Sequence, residues 1–163
     1  MEVSYPTALR ALVSICTTCE LTMTIPADPA VIPILADGVA EVLEERAWAE
    51  EDVRAIQLAL QEAVANAVRH GCRGDASKQV RCSVSCDHSG EVVIVVRDPG
   101  TGFDPDAIAD PLDTSNILKP SGRGIFLMSE LMDHVQFAEG GREVRMRKKK
   151  NNAYFGIFET RGA

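Results

Sequence analysis

The stretch LALQEAVANAVRHG, residues 58–71, reads as a helix with two faces. At 100° per residue, Val53, Ile56, Leu60, Val64 and Ala67 share one apolar stripe. Glu62, Asn66 and His70 recur every fourth residue on a second stripe, roughly opposite. Residues so spaced are neighbours on a helix surface, so acid, amide and imidazole form a ladder. Such a set suits a proton acceptor, a metal-binding oxygen and a phosphate or metal contact. A solvated helix face has the same spacing, so the meaning of the ladder rests on two segments downstream of it.

Both segments are rich in glycine. Asp98-Pro99-Gly100-Thr101-Gly102-Phe103-Asp104 comes directly after EVVIVVR, a β-branched run of the kind that forms a buried strand. The strand therefore ends at a carboxylate and enters a loop that glycine can bend tightly or bring close to a ligand. Ser121-Gly122-Arg123-Gly124 precedes the helix-like IFLMSELM, so the helix is expected over Gly124–Met132. Glycines opening a helix leave its first N–H groups free, and these with the helix dipole make an anion site. DxGxG and GxG each occur in ordinary turns. The order ExxxNxxxH, DxGxGF, GRGxFLM is specific.

The three segments resemble the N, G1 and G2 boxes of the GHKL ATPase superfamily (Bergerat fold) and, within it, the anti-sigma-factor serine/threonine kinases. The residues carrying the resemblance are EAVANAVRHG (62–71), DPGTGFD (98–104) and KPSGRGIFLMSELMDHVQFAEGGREVRM (119–146). It spans about Leu21 to Arg147. The fold it implies is α+β: a two-layer α/β sandwich, with a mixed, mostly antiparallel sheet and helices packed on one face. It implies an N-terminal extension over 1–15, a histidine-kinase-like ATPase domain over 16–149 and a C-terminal tail over 150–163.

The same resemblance implies roles. ATP is expected between the helices and the sheet, under the loop 104–121 acting as a lid. Asp98 would accept a hydrogen bond from the adenine amino group, and Gly100 and Gly102 would let backbone approach base and ribose. Asn66 would give its side-chain oxygen to Mg²⁺, an ion that keeps waters and takes phosphate oxygens for the rest. The backbone of Gly122, Arg123 and Gly124 would cradle the phosphates; the Arg123 side chain reads equally as a phosphate contact or a solvated group. Lys119 and Ser121 reach the γ-phosphate only under a closed lid. Glu62 would be the general base for a serine or threonine hydroxyl, a weak nucleophile that gains from one. His70 completes the motif, or simply caps a helix carbonyl.

The implied activity is that of an Mg-ATP-dependent protein serine/threonine kinase and anti-sigma factor in a partner-switching system. Its expected partners are a STAS-type antagonist, which it phosphorylates, a sigma factor, and a second copy in a homodimer. Three other readings share the motifs. A sensor histidine kinase needs a preceding helical hairpin, and residues 1–25 are too short for one. A topoisomerase- or mismatch-repair-type ATPase has a longer lid and a transducer domain. A catalytically silent binding module has no need of both Glu62 and Asn66.

Composition agrees. One domain is expected for 163 residues, with an apolar fraction of 45% and a charged fraction of 25%. The net charge of −7 argues against nucleic acid as the main partner. No apolar run approaches the ~20 residues of a membrane span, and the N-terminus makes a poor signal peptide, so a cytoplasmic chain is expected. The five cysteines are scattered. On a strand Cys16 and Cys19 point to opposite faces, and Cys82 and Cys86 lie ~13 Å apart, so reduced thiols fit better than zinc or disulfides.

Around the motifs, Cys16–Ile25 reads as a strand. Asp28-Pro29 fits a helix N-cap and first position, although Pro33 offers a second start. Glu50, Glu51 and Asp52 suit the first turn of the ladder helix. Gln79–Cys86 and Glu91–Arg97 read as strands, and His134–Ala138 and Arg142–Lys148 as a hairpin across Gly140-Gly141. Val144 and Met146 face one way and Arg145 and Arg147 the other, so one sheet face is expected buried and the other wet. RMRKKK (145–150) reads as a solvated strand end. The apolar tail with Tyr154, Phe155, Ile157 and Phe158 fits either its own sheet or a partner.

Overall fold

The computed structural model describes residues 19–87, 89–103 and 120–151, with backbone alone at 19 and 120–122. The proposed lid, Lys119 and the apolar tail lie outside the described residues. Five strands form one sheet: β1 (Cys19–Pro26), β2 (Gln79–Cys86), β3 (Glu91–Arg97), β4 (His134–Ala138) and β5 (Glu143–Lys149), in the order β1-β2-β3-β5-β4. Among the described residues three α-helices accompany them: α1 (Val31–Glu45), α2 (Glu50–Asn66) and α3 (Pro120–Leu131). The α+β class and the single layer of helices are as expected. The sheet is simpler than the mixed one expected, since every pairing among the described residues is antiparallel.

Register places the apolar residues in rows. Leu21, Val84, Ile94, Met146 and Val135 lie side by side across the sheet, and Met23, Cys82, Val96, Val144 and Phe137 form the next row. These rows face the helices. The alternate row Thr22, Ser83, Val95, Arg145 and Gln136 faces away, which is the period of two that the strands encode. Burial also explains the cysteines. Cys82 and Cys86 are buried thiols on one face of β2. Burial pushes the Cys82 thiol up to about 12, so it stays protonated and unreactive.

The stripe on α2 lies against the sheet as its periodicity requires. Ile56, Leu60 and Val64 are fully buried, each contributing roughly 1.5–3 kcal/mol. Leu35, Val39, Val42 and Leu43 of α1 join the same core. The start of α1 differs from both readings. Ala30 occupies the N-cap and offers no side-chain cap, while Asp28 works from two residues further out. Its Oδ1 accepts from Ala30 N–H at 2.9 Å and its carbonyl from Val31 N–H at 3.1 Å. Pro33 then falls in the first turn, where its missing N–H costs nothing.

The strand end RMRKKK is solvated at Arg145, Arg147 and Lys149 but not at Lys148. Lys148 reaches inward, donating to Leu131 O at 3.0 Å and lying 3.6 Å from both Asp52 and Asp133. It ties the start of α2 to the end of α3.

Candidate nucleotide site

The ladder helix does not run straight to Gly71. Ala67–Gly71 forms a π turn, closed by Cys72 N–H to Ala67 O at 2.8 Å. A π turn holds more residues than an α turn, so side chains beyond it fall behind the 100° step. Glu62 and Asn66, before it, keep their stripe and are half-buried. His70 lies inside it and is exposed.

Glu62 and Asn66 meet α3 at Gly124. A Cβ at that position would lie 2.9 Å from Glu62 Oε2 and 3.1 Å from Asn66 Nδ2. Only a residue without a side chain lets the two polar groups come this close to the α3 backbone. The helix itself starts earlier than expected, at Pro120, which suits proline's preference for the first helical position. Free N–H groups belong to the first turn alone, so Ser121 and Gly122 hold that place. Gly124, the fifth residue, has its N–H committed within the helix. Its service is the close approach to Glu62 and Asn66. Arg123 is exposed.

The second half of the site is at the end of β3. Asp98 N–H donates to Arg142 O at 3.0 Å, which fixes the main chain beside β5. Its Oδ1 accepts from Gly100 N–H at 2.7 Å. Burial pushes the Asp98 carboxyl above its ordinary range, while the Gly100 N–H and the Arg142 charge pull the other way. Burial, with the charge of Asp98, likewise raises the neighbouring Cys72 thiol. The loop after Asp98 is stitched to the turn Glu139–Gly141 through Phe103 N–H to Gly140 O at 3.0 Å. Gly102, at φ 76°, has no room for a side chain because Gly140 O occupies the place. The glycines of this loop are thus required by backbone packing inside the protein, a demand that a motif alone does not reveal. Arg142, which holds both Asp98 and Glu139, carries no signal in the sequence, where it is one arginine at the start of a strand.

The two halves are strung along one helix. From Glu62 to Gly71 the axial distance is about 13 Å at 1.5 Å per residue. A slender ligand lying along α2 would have Asp98 at one end and Glu62 at the other. Among the described residues no three His, Cys, Asp or Glu side chains converge to hold a metal by themselves. One amide beside one carboxylate suits a cation that brings other ligands with it, as Mg²⁺ does on phosphates.

Similarity to known proteins agrees with this geometry. The histidine kinase-like ATPase domain family matches residues 25–148. The serine-protein kinase RsbW of Bacillus pumilus is 31% identical over 140 residues, covering 79% of this chain and 85% of that protein. The RsbW of Bacillus velezensis is 28% identical over 136 residues, covering 79% of this chain and 84% of that protein. In shape, the chain is similar to a crystal structure of the RsbU and RsbW domains of a Mycobacterium tuberculosis protein. The TM-score is 0.58 at 18% identity, over 80% of this chain and 32% of that one. Among the described residues no helix is long and apolar enough to cross a membrane. The chain belongs to the histidine kinase-like ATPase domain family, among relatives of the RsbW serine-protein kinases.

Proposed function

We propose that this protein is a cytoplasmic, Mg²⁺-dependent protein serine/threonine kinase acting as an anti-sigma factor, with a small STAS-type antagonist as its phosphoryl acceptor. The observation that carries the reading is the pairing of Glu62 and Asn66 against Gly124, at the opposite end of one helix from Asp98. Asp98, with one oxygen held by Gly100 N–H, is an acceptor for an amino group such as that of adenine. Asn66 would hold Mg²⁺ through its amide oxygen, and the ion supplies charge neutralisation for the phosphates. The first turn of α3, with Ser121 and Gly122, supplies N–H donors for an anion.

Glu62 decides what the site does with the γ-phosphoryl group. Its carboxylate takes the proton of an incoming hydroxyl, and phosphoryl transfer is otherwise a matter of position and charge. His70 is exposed and stands apart from Glu62 in this mechanism. The RsbW relatives, named as serine-protein kinases, support a hydroxyl acceptor.

The test incubates the protein with host lysate, Mg²⁺ and γ-labelled ATP. Label on a small STAS-like protein at serine or threonine is the expected result. Label released only as free phosphate would instead make Glu62 an activator of water. Glu62→Gln is expected to keep ATP binding and lose about 10²–10⁴ in transfer rate; an unchanged rate would remove Glu62 from the mechanism.

A further inference from the structure

The carboxylate of Asp98 does not stand free in its pocket. It lies on the backbone of Gly71, the last residue of the π turn. A Cβ built at Gly71 would fall inside the Asp98 carboxyl group, against Cγ, Oδ1 and Cβ. Gly100 closes the other side: a Cβ there would be 2.6 Å from Gly71 O and 2.7 Å from Asp98 Oδ1. Oδ1 is thus enclosed by two glycines and takes the Gly100 N–H at 2.7 Å. Oδ2 lies farther than Oδ1 from both glycines, and among the described residues no hydrogen bond reaches it. One carboxylate oxygen is used to set the angle of the group, and the other is presented.

The π turn is what makes this contact. It adds a residue to the helix end and ends on Gly71, whose backbone lies against Asp98 at the end of β3; the next residue, Cys72, is fully buried. Gly71 touches no ligand in this arrangement. It acts through Asp98.

We propose that Gly71 is a specificity-determining position for the base, its bare backbone seating the Asp98 carboxylate so that Oδ2 alone meets an amino-bearing purine. This rests on the reading of the pocket as an ATP site. A side chain at position 71 would push the carboxylate off the Gly100 N–H and turn Oδ2 away, while leaving the phosphate end of the site, Glu62, Asn66 and the first turn of α3, in place. Discrimination for the 6-amino group is the quantity at stake, rather than nucleotide binding as a whole.

The experiment measures binding of ATP and of purine riboside triphosphate, which lacks the 6-amino group, to the full chain. Wild type, Gly71→Ala, Asp98→Asn and the double variant are compared by calorimetry. Wild type is expected to prefer ATP by about 10–100-fold, the range for a hydrogen bond to a charged group. Gly71→Ala should bring ATP down to the analogue and leave the analogue within about threefold. The double variant should lose no more than either single one, because both changes remove the same contact. Equal losses for both nucleotides, or a retained preference for ATP, would overturn the proposal while the ATP reading stands. Failure of wild type to bind ATP would overturn both. If Gly71→Ala is too unstable to titrate, Gly71→Ala with Asp98→Gly is expected to recover its melting temperature, since the clash is with the Asp98 side chain. No recovery would place the demand for glycine elsewhere and overturn the proposal.

Discussion

Among the described residues two aspartates are drawn out of water, and they are treated differently. Asp52, on the first turn of α2, is 7% exposed and faces a cation, Lys148, at 3.6 Å. Lys148 also takes Asp133 and the carbonyl of Leu131, so the cluster joins α2, α3 and β5. Asp98 lies among glycine backbone, with one N–H on one oxygen and no cation within ion-pair distance among the described residues. The first arrangement sets a cation beside a buried charge on its Oδ1 side, with Oδ2 buried and without a hydrogen bond among the described residues. The second leaves a charge partly uncompensated, with one oxygen presented. A fold that retains such a group has a use for it beyond stability.

Removing the compensation at Asp52 should have the largest effect. Lys148→Met strands a buried carboxylate and is expected to cost about 3 kcal/mol in denaturant unfolding. Adding Asp52→Leu should return most of that loss, since a well-packed apolar pair often replaces a buried ion pair without penalty. The preference for ATP over the analogue lacking the 6-amino group should not change in either variant. If it does, the two ends of the molecule are coupled and the contrast between the two aspartates fails.

Asp98→Asn should do the reverse. ATP affinity is expected to fall about 10–100-fold, the share of a hydrogen bond to a charged acceptor. Thermal stability should be equal or slightly higher. Asp98 has its pKa raised on folding, so the folded protein holds this proton more tightly than the unfolded chain. The ionised group therefore costs stability above its folded pKa, and that cost vanishes as pH falls through it. An Asn variant less stable than wild type at neutral pH would show that the carboxylate is structural after all.

The same shift has a smaller consequence for binding. The preference for ATP over the analogue needs the ionised acceptor. It should weaken as pH falls through a window above the ordinary carboxylate value of 3.8, and Asp98→Asn should abolish the pH dependence. Competition titrations at a series of pH values measure it. A flat ratio in wild type would remove the ionised carboxylate from base recognition.

Much of this was legible in the chain. The apolar spacing of Val53, Ile56, Leu60 and Val64 settled α2 and its buried side, because a helix period and a core-facing stripe are the same fact. The alternation in EVVIVVR settled β3, and β2 and β4 came out at the residues read. Asp98, Glu62 and Asn66 were also visible, as polar groups at the ends or flanks of apolar elements. Spacing failed at the π turn. It extends an α-helix, and nothing in AVRHG announces the extra residue in the turn that carries His70.

What the sequence by itself determined is therefore local: periods, strand ends, the glycines and the order of the motifs. Those depend on residues within a few positions of one another. The tertiary structure decided what each glycine is for. Gly71 accommodates Asp98, Gly102 accommodates Gly140 and Gly124 accommodates Glu62 with Asn66, over separations of 27, 38 and about 60 residues in the numbering. It also decided that Lys148, in a run of basic residues, turns inward to Asp52. Excluded volume and charge compensation act between groups that only folding brings together, and no reading along the chain contains those distances.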